Sequence, residues 1–191
     1  KSDVSDVVQD MIDDLVDEVV GEFYQDRIDS EEWDWEGFKV RMGELFHHVP
    51  EWPEDELVGL KLESFTEKTL GFVRDAYKAQ DEANGPETQR QLEKLILLQI
   101  VDSHWKDHLL SMDYLKEGIG LRGYGQKNPL NEYKREGFEM FGHMVETVKS
   151  KVVSSLMRVR VVREDDVERL EEERRRRHEQ EQMRLNKVAG G

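Results

Sequence analysis

The sequence predicts an all-α protein built from long helices, including an antiparallel two-helix hairpin, together with a small helical subdomain. Three observations support this fold class. Apolar side chains recur every three or four residues over long stretches, which is the helical period, and only 4 prolines occur in 191 residues, so long helices need not break. Hydrophobic and charged residues each make up 37% of the chain, a balance typical of elongated helices with one buried face.

The first predicted helix covers residues 1–24. Its apolar side chains fall on one stripe at helical spacing, and its opposite face is mostly acidic. We expect this acidic face to be solvated, because charged helix faces usually are. The chain begins with Lys1, already inside the helical pattern, and we therefore expect it to be a segment of a longer protein.

Residues 25–85 predict a small helical subdomain that contains three of the four tryptophans. Those tryptophans are Trp33, Trp35 and Trp52. Ser64 and Glu67 fit a capping box, so we expect a helix from Ser64 to about Lys78. The Asn-Gly-Pro sequence at 84–86 should close the subdomain.

Residues 86–120 carry the clearest helical pattern, and Pro86 suits a first helical turn. Apolar positions alternate spacings of three and four residues, which predicts a heptad seam. The seam consists of Leu98, Val101, Trp105, His108, Met112, Leu115 and Ile119. Because residues 95–98 are apolar on more than one face, we expect that end of the helix to be buried on several sides.

A second seam follows in residues 131–157. It consists of Phe138, Phe141, Val145, Val148, Val152 and Leu156. Two adjacent seams joined by a short loop should pack antiparallel as a hairpin. The loop, residues 118–129, has four glycines, which permit unusual backbone angles. The side chains that this tip can present are Leu121, Arg122, Tyr124 and Lys127.

The C-terminal part of the chain is different in character. Residues 158–162 alternate briefly and predict a short edge strand. Residues 164–187 are mostly charged, and glutamates and arginines stand four residues apart in favourable pairs. This stretch therefore predicts a solvated charged helix or a flexible linker.

Composition argues against several functional classes. The net charge of -15 disfavours nucleic acid as a partner, because such binders need a basic face. The absence of cysteine rules out disulfides, thiolate chemistry and cysteine-bound zinc. No apolar run approaches the roughly 20 residues needed to span a bilayer, so we expect no transmembrane segment.

The sequence predicts no catalytic residue and no metal site. No phosphate-binding loop and no Gly-x-Ser-x-Gly nucleophile motif occurs. His104 and His108, four residues apart, could share a metal ion, but no third ligand is apparent, and a histidine packed in a helix is the favoured interpretation. The pair His47-His48 supports a metal site equally weakly.

Several motifs resemble the SecA preprotein-translocase motor family. They are LQIVDSHWKDHL at 98–109, MDYL at 112–115, LRGYGQK at 121–127 and EYKRE at 132–136, followed by Phe138, Met140 and Phe141. The resemblance is long, specific and in order, and residues 86–160 carry nearly all of it. Residues 25–85 match only weakly in sequence.

The resemblance implies a division of the chain. Residues 1–24 resemble the end of a long scaffold helix, residues 25–85 the helical wing, residues 86–160 a second scaffold helix with the two-helix finger, and residues 161–191 the start of a C-terminal linker. Tyr124 falls where the family places the aromatic residue of its fingertip.

The resemblance also implies a function. The family is an ATP-driven motor that moves unfolded preproteins through the SecYEG channel, at the cytoplasmic face of the bacterial plasma membrane. ATP and Mg would be bound by other domains of the parent protein, and this segment would need no cofactor. Its implied partners are the nucleotide-binding and preprotein-binding domains of the parent, the channel and the unfolded preprotein.

Two alternatives remain open from the residues themselves. One is a self-contained helical adaptor that binds a folded protein partner through its hairpin. The other, weaker, is a histidine-based metalloenzyme. Exposed apolar surface on residues 1–24 and 90–101 would favour a segment of a larger motor, because other domains would cover such surface in the parent.

Overall fold

A computed structural model describes residues 4–120, 128–161 and 174–177, with the backbone alone at residue 54. These residues form five long α-helices: α1 (Val4–Phe23), α2 (Trp35–Phe46), α3 (Leu62–Asn84), α4 (Pro86–Ile119) and α5 (Pro129–Arg158). Two short 3-10 helices, Ser30–Glu32 and Glu54–Glu56, lie before and after α2. The predicted all-α fold class is confirmed.

The chain divides into two compact units, Lys1–Val159 and Arg160–Gly191. The first contains α1 to α5, and the second is described only at 160–161 and in a helical turn at 174–177. The prediction of an edge strand over residues 158–162 is wrong at the positions that the structure describes. Helix α5 continues through Arg158 instead, and the Val159 amide donates to the Ser155 carbonyl at 3.2 Å, so helical hydrogen bonding takes the backbone groups that a strand would need.

Helix α1 supplies the centre of the core. Its apolar stripe is completely buried against α2, α3, α4 and α5. The stripe consists of Val8, Ile12, Leu15, Val16, Val19 and Val20. Since this stripe is covered within the chain, exposed apolar surface on residues 1–24, one of the two marks of a motor segment, is not found at the positions that the structure describes, 4–24.

The acidic face of α1 is partly paired, although we expected it to be solvated. Asp13 accepts from the Arg74 guanidinium at 2.7 Å and 2.9 Å, and Glu22 lies 3.2 Å from Arg41. These cations come from α3 and α2. Exposed ion pairs of this kind stabilise by up to about 1 kcal/mol each, so they orient the neighbouring helices more than they hold them.

An aromatic cluster fills the space between α2 and α3. The ring of Phe65, which is fully buried, lies 5.1 Å from Phe38 and 5.3 Å from Trp33, centre to centre. The Trp33 indole donates to the carbonyl of Ile28 at 3.1 Å, and the Trp35 indole donates to the carbonyl of Ser30 at 2.8 Å. Because both indole N–H groups are satisfied, the tryptophans can be buried at little polar cost.

The start and end of α3 differ from the expectation. The helix begins at Leu62, before Ser64, and its N-cap residue Lys61 makes no side-chain cap. The amide of Phe65 donates to the Lys61 carbonyl at 2.8 Å, so the helical ladder has already started when Ser64 is reached, and the predicted capping box is wrong. The helix also continues beyond Lys78 to Asn84.

Gly85 makes the turn between α3 and α4 in a single residue. It serves as C-cap of one helix and N-cap of the next, with φ of 87°. This positive φ is readily adopted by glycine and strained for other residues. Pro86 then occupies the first turn of α4, as predicted, where its missing N–H costs nothing.

Candidate functional site

Helices α4 and α5 run side by side in antiparallel directions. The Met112 Cε atom lies only 3.0 Å from where a Cβ on Gly137 would stand, and the His108 and Phe141 rings lie 5.8 Å apart. The second contact thus lies four residues earlier on α4 and four residues later on α5 than the first, as antiparallel helices require. The two helices therefore brace each other along much of their length, and Gly137 permits their close approach.

The contact face of α4 differs from the predicted seam in its first half. Ile96, Leu97 and Ile100 pack against the core, and His104 and His108 line a groove shared with α5. The spacing between successive contact positions along α4 is thus close to four residues. The predicted Leu98, Val101 and Trp105 lie one residue further on each time and are exposed.

The later half of the predicted seam lies at the helix pair. His108, Met112 and Leu115 on α4 are half-buried. On α5, burial increases from exposed Phe138 and Phe141, through half-buried Val145, to buried Val148, Val152 and Leu156. The helix pair therefore has a well-packed base, near the core, and an open upper part.

An exposed apolar stripe follows from this shift on α4. We call it the outer stripe, and it consists of Leu95, Leu98, Val101, Trp105 and Leu109. Leu98 is 59% exposed and Trp105 is 45% exposed. The expectation that residues 95–98 are buried on several sides was therefore wrong within this chain. Exposed apolar surface on residues 90–101, the second mark of a motor segment, is present.

Replacing Trp105 by Ala should lower the free energy of unfolding of this chain by only about 1 kcal/mol, because the side chain is only partly removed from water. The sequence predicted a buried anchor, whose loss would cost about 3–5 kcal/mol, but almost half of the side chain is exposed. Urea denaturation followed by circular dichroism measures the difference. A loss of several kcal/mol would show that Trp105 is buried in solution.

A buried polar network ties the base of α4 to α3. The Glu93 carboxylate, 0% exposed, accepts from the Tyr77 hydroxyl at 2.5 Å and lies 3.1 Å from the Arg90 guanidinium. Arg90 also pairs with Asp81 at 3.0 Å and hydrogen-bonds to Ser5 of α1. We call this set the anchor network. A buried charge is stable only when paired and hydrogen-bonded, so these partners must stay in place together.

The same network reaches the end of α5. The Gln89 amide donates to the Tyr77 hydroxyl at 3.1 Å, and the Asn84 amide donates to Gln89 at 2.9 Å. The Gln80 amide donates to the Val159 carbonyl at 2.7 Å and also to the Leu156 carbonyl. Residues of α3 thus satisfy carbonyl groups that the C-terminus of α5 leaves free, and one polar chain fixes both members of the helix pair at their common base.

The environment of Tyr77 follows from this arrangement. Burial, and then the hydrogen bond to the Glu93 carboxylate, raise the pKa of the Tyr77 hydroxyl above its usual value. A raised pKa means that the folded state favours the neutral hydroxyl. Its contribution to stability is therefore complete below about pH 10, the pKa in the unfolded chain, and is lost only as the pH rises further.

Tyr77→Phe should lower the free energy of unfolding by about 1.5–3 kcal/mol at neutral pH, because the buried carboxylate loses a donor. Urea denaturation is the measurement. The matched control is Tyr114→Phe, which removes a hydroxyl from an exposed position of α4 and should change stability by less than about 0.5 kcal/mol. Equal effects of the two substitutions would contradict the anchor network.

The histidines that the structure describes are not grouped as a metal centre. Across the described residues, no group of three potential ligands is placed to hold a metal ion. His104, His108 and His143 line one open groove between α4 and α5. His47, which ends α2 with a left-handed φ of 54°, lies 2.9 Å from the Ser154 hydroxyl, so its ring helps to join α2 to α5.

The tip of the helix pair is described only at its edges. Helix α4 ends at Ile119, and α5 begins at Pro129 behind Asn128, whose side chain accepts from the Leu130 amide at 2.9 Å. The predicted tip residues Leu121, Arg122, Tyr124 and Lys127 lie outside the described residues. Among the helices that the structure describes, none is long and apolar enough to cross a membrane.

Two features of this site are not apparent from the sequence. The anchor network was invisible because its members are polar and spaced like surface residues, and only their spacing on the inner face of α3 and α4 could have suggested burial. The Gln80 and Asn84 amides both donate to the Val159 carbonyl at the end of α5, at 2.7 Å and 3.3 Å. These hydrogen bonds were missed because the predicted helix ended before both residues.

The helix pair is braced along much of its length, joined to α3 at its base by buried polar groups and lined by an exposed apolar stripe, which is the geometry of a helical scaffold. The comparisons with known proteins agree. The family model "SecA Wing and Scaffold domain" matches residues 1–160. The chain therefore belongs to the SecA family, and the resemblance found in the sequence is confirmed.

Individual relatives give the same result. The chain is 60% identical over 173 residues to a protein translocase subunit SecA of Desulfotalea psychrophila, covering 91% of this chain and 20% of that protein. SecA subunits of Geobacter metallireducens and Geotalea uraniireducens are 42% and 40% identical, each over 79% of this chain and 17% of the relative. The chain thus spans about a fifth of the length of these relatives.

Proposed function

We propose that this chain is the wing and scaffold segment of an ATP-driven protein-export motor. In this proposal the helix pair α4–α5 couples the nucleotide state of the parent protein to movement or gating of an unfolded preprotein at the SecYEG channel. The supporting observation is the outer stripe, an exposed apolar face on a helix whose base is rigidly fixed. Such a face is costly unless another domain covers it.

The rest of the parent protein provides the proposed partners. Nucleotide-binding and preprotein-binding domains would pack on the outer stripe. ATP and Mg would be bound by the nucleotide-binding domains rather than by this chain. The parent would work at the cytoplasmic face of the bacterial plasma membrane. Because α4 and α5 brace each other and share one anchor, a shift imposed on the outer stripe would reach the tip as a displacement of the pair.

The tip would contact the preprotein and the channel through Leu121, Arg122, Tyr124 and Lys127. An aromatic ring on a glycine-rich loop can contact many different unfolded chains, because it relies on apolar area rather than on a particular sequence. The shape of the helix pair supports this role, since its packed base lies at the core and its upper, more exposed part leads to the tip.

Photo-crosslinking from position 124, in the intact parent protein during translocation, tests the proposal. We expect crosslinks both to the translocating preprotein and to the channel. Position 114, on the shaft of α4, is the matched control and should crosslink the preprotein much less. A tip that crosslinks neither partner would reject the proposed function.

The alternative, a self-contained adaptor, makes a different prediction. It requires that the isolated chain bind one folded partner with its own affinity through the hairpin. The outer stripe favours the motor segment, because a self-contained domain has little reason to expose five large apolar side chains on one helix face.

Saturable ATP binding to this chain alone is not expected. The sequence has no phosphate-binding loop to cradle a triphosphate, and the proposal assigns nucleotide binding to other domains. Isothermal titration calorimetry with ATP and Mg measures this directly. Saturable binding in the micromolar range would show that the segment carries a nucleotide site of its own.

A further inference from the structure

A cleft opens on the surface of the wing, between α2 and the loop that follows it. Its volume is about 650 Å³, within the roughly 300–1,000 Å³ range of ligand-binding pockets. We call it the wing cleft. Its apolar lining consists of Trp35, Phe38, Pro50, Trp52, Leu57 and Val58.

The aromatic rings of the cleft hold a fixed geometry. The Trp52 ring stands nearly perpendicular to the Trp35 ring, with centres 6.3 Å apart, and lies 5.7 Å from the Phe38 ring. Trp35 is held by its indole hydrogen bond to the Ser30 carbonyl at 2.8 Å. Both tryptophans are half-buried, and Val58 at the edge is 60% exposed. The cleft therefore presents preformed apolar surface to solvent.

The rim of the cleft is negatively charged. Glu31, Glu36 and Asp55 line it, against one cation, Lys39. The Lys39 ammonium already lies 3.3 Å from the Glu36 carboxylate, so Glu31 and Asp55 dominate the remaining charge. The rim thus favours a cationic ligand.

Just outside the cleft, a lysine side chain of the wing itself lies over an aromatic ring and beside a carboxylate. The Lys68 ammonium lies 4.9 Å from the centre of the Trp52 ring and pairs with the Glu56 carboxylate. An ammonium placed over an aromatic face beside a carboxylate combines cation–π attraction with an ion pair. The cleft is lined by both kinds of group, the Trp35 and Trp52 rings and the Glu31 and Asp55 carboxylates, and can offer them to a cation from outside.

We propose that the wing cleft binds an extended segment of an unfolded client polypeptide in which a Lys or Arg stands next to a large apolar side chain. The cation would pair with Glu31 and Asp55, and the apolar side chain would pack on Trp52 and Val58. A folded partner would need an interface of about 800 Å² on each side, which a single cleft does not supply. That the bound segment belongs to the client preprotein rests on the proposed function. The preference of the cleft for a cation next to an apolar side chain does not.

Binding of short unstructured peptides to this chain, followed by fluorescence anisotropy, tests the chemistry. Three labelled peptides differ only in a central pair: Lys-Leu, Glu-Leu or Lys-Ser. We expect saturable binding of the Lys-Leu peptide and at least tenfold weaker binding of the other two. Equal binding of the Glu-Leu peptide, or no saturable binding of any peptide, would overturn the proposal.

Paired variants locate the site. Glu31→Gln with Asp55→Asn should weaken binding of the Lys-Leu peptide about tenfold, as the loss of two exposed ion pairs allows. Val58→Ser should weaken it without altering the fold, since the side chain is exposed. The control, Glu82→Gln with Asp113→Asn, removes two exposed carboxylates from α3 and α4. If the control weakens binding as much as the rim variant, the interaction is nonspecific and the proposal fails.

Photo-crosslinking in the translocating parent protein identifies the source of the segment. A probe at position 58 should crosslink to the client. Crosslinks from position 58 only to other domains of the parent or to the channel would reject the client as occupant. If position 124 still crosslinks the client in that case, the proposed function stands and only the inference about the wing cleft fails.

Discussion

Tyr124→Ala in the intact parent protein should reduce preprotein translocation sharply while nucleotide binding persists. The expected loss follows from the proposed contact between the tip and the unfolded chain, which depends on the aromatic ring. Tyr124→Phe should keep most of the activity, because it retains the ring and removes only the hydroxyl. The measurement is the amount of protease-protected substrate in vesicles, beside nucleotide binding by the same variants.

Two controls separate the tip from the rest of the helix pair. Tyr114→Ala removes an exposed tyrosine from the shaft of α4 and should leave translocation much less affected. In this 191-residue chain, Tyr124→Ala should keep the helical content and stability of wild type. Normal translocation by Tyr124→Ala would exclude the tip from the mechanism, and unfolding of the chain would show that Tyr124 is a packing residue.

Phe65→Ala should lower the free energy of unfolding of this chain by about 3–5 kcal/mol, the usual cost of removing a buried aromatic ring. The ring is fully buried and contacts Trp33, Trp35 and Phe38, so its removal leaves a cavity that rigid neighbours cannot close. Thermal denaturation should show a melting temperature lower by roughly 10 °C.

The matched control is Phe138→Ala, the same substitution on α5 where the ring is 78% exposed. It should change stability by less than about 0.5 kcal/mol. Phe65→Leu should be intermediate, since it keeps most of the apolar volume. Equal destabilisation by Phe65→Ala and Phe138→Ala would mean that the two rings are buried alike in solution.

Local patterns were sufficient for the helices and the family. The spacing of apolar residues predicted α1, α4 and α5, because each side chain's place on a helix depends only on its position in the helical period. Pro86 marked the start of α4 for the equally local reason that proline fits a first turn. The motifs at 98–109 and 132–136 were long enough to indicate the SecA family. The division of residues 1–160 into scaffold and wing stays a prediction, and so do the roles of the tip residues.

The tertiary structure decided which face of α4 is covered. Residues 95–98 are apolar on more than one face, so the sequence allows two contact faces, and a strict heptad favoured Leu98 and Trp105. A straight helix has about 3.6 residues per turn and drifts from a heptad by about 20° every seven residues. Packing on the core at Ile96 and Ile100 therefore leaves Leu98 and Trp105 exposed.

The polar core was likewise decided only by the assembled fold. Glu93, Gln89 and Asn84 are polar residue types that usually lie at the surface. Their burial is favourable only when each finds a hydrogen-bonding partner. Glu93 and Gln89 find a partner in Tyr77 of α3, and Asn84 finds one in the Val159 carbonyl at the end of α5, 75 residues away in the sequence. The sequence alone thus determined the helices and the family, whereas the contacts between helices decided which apolar face stayed open and which polar groups became buried.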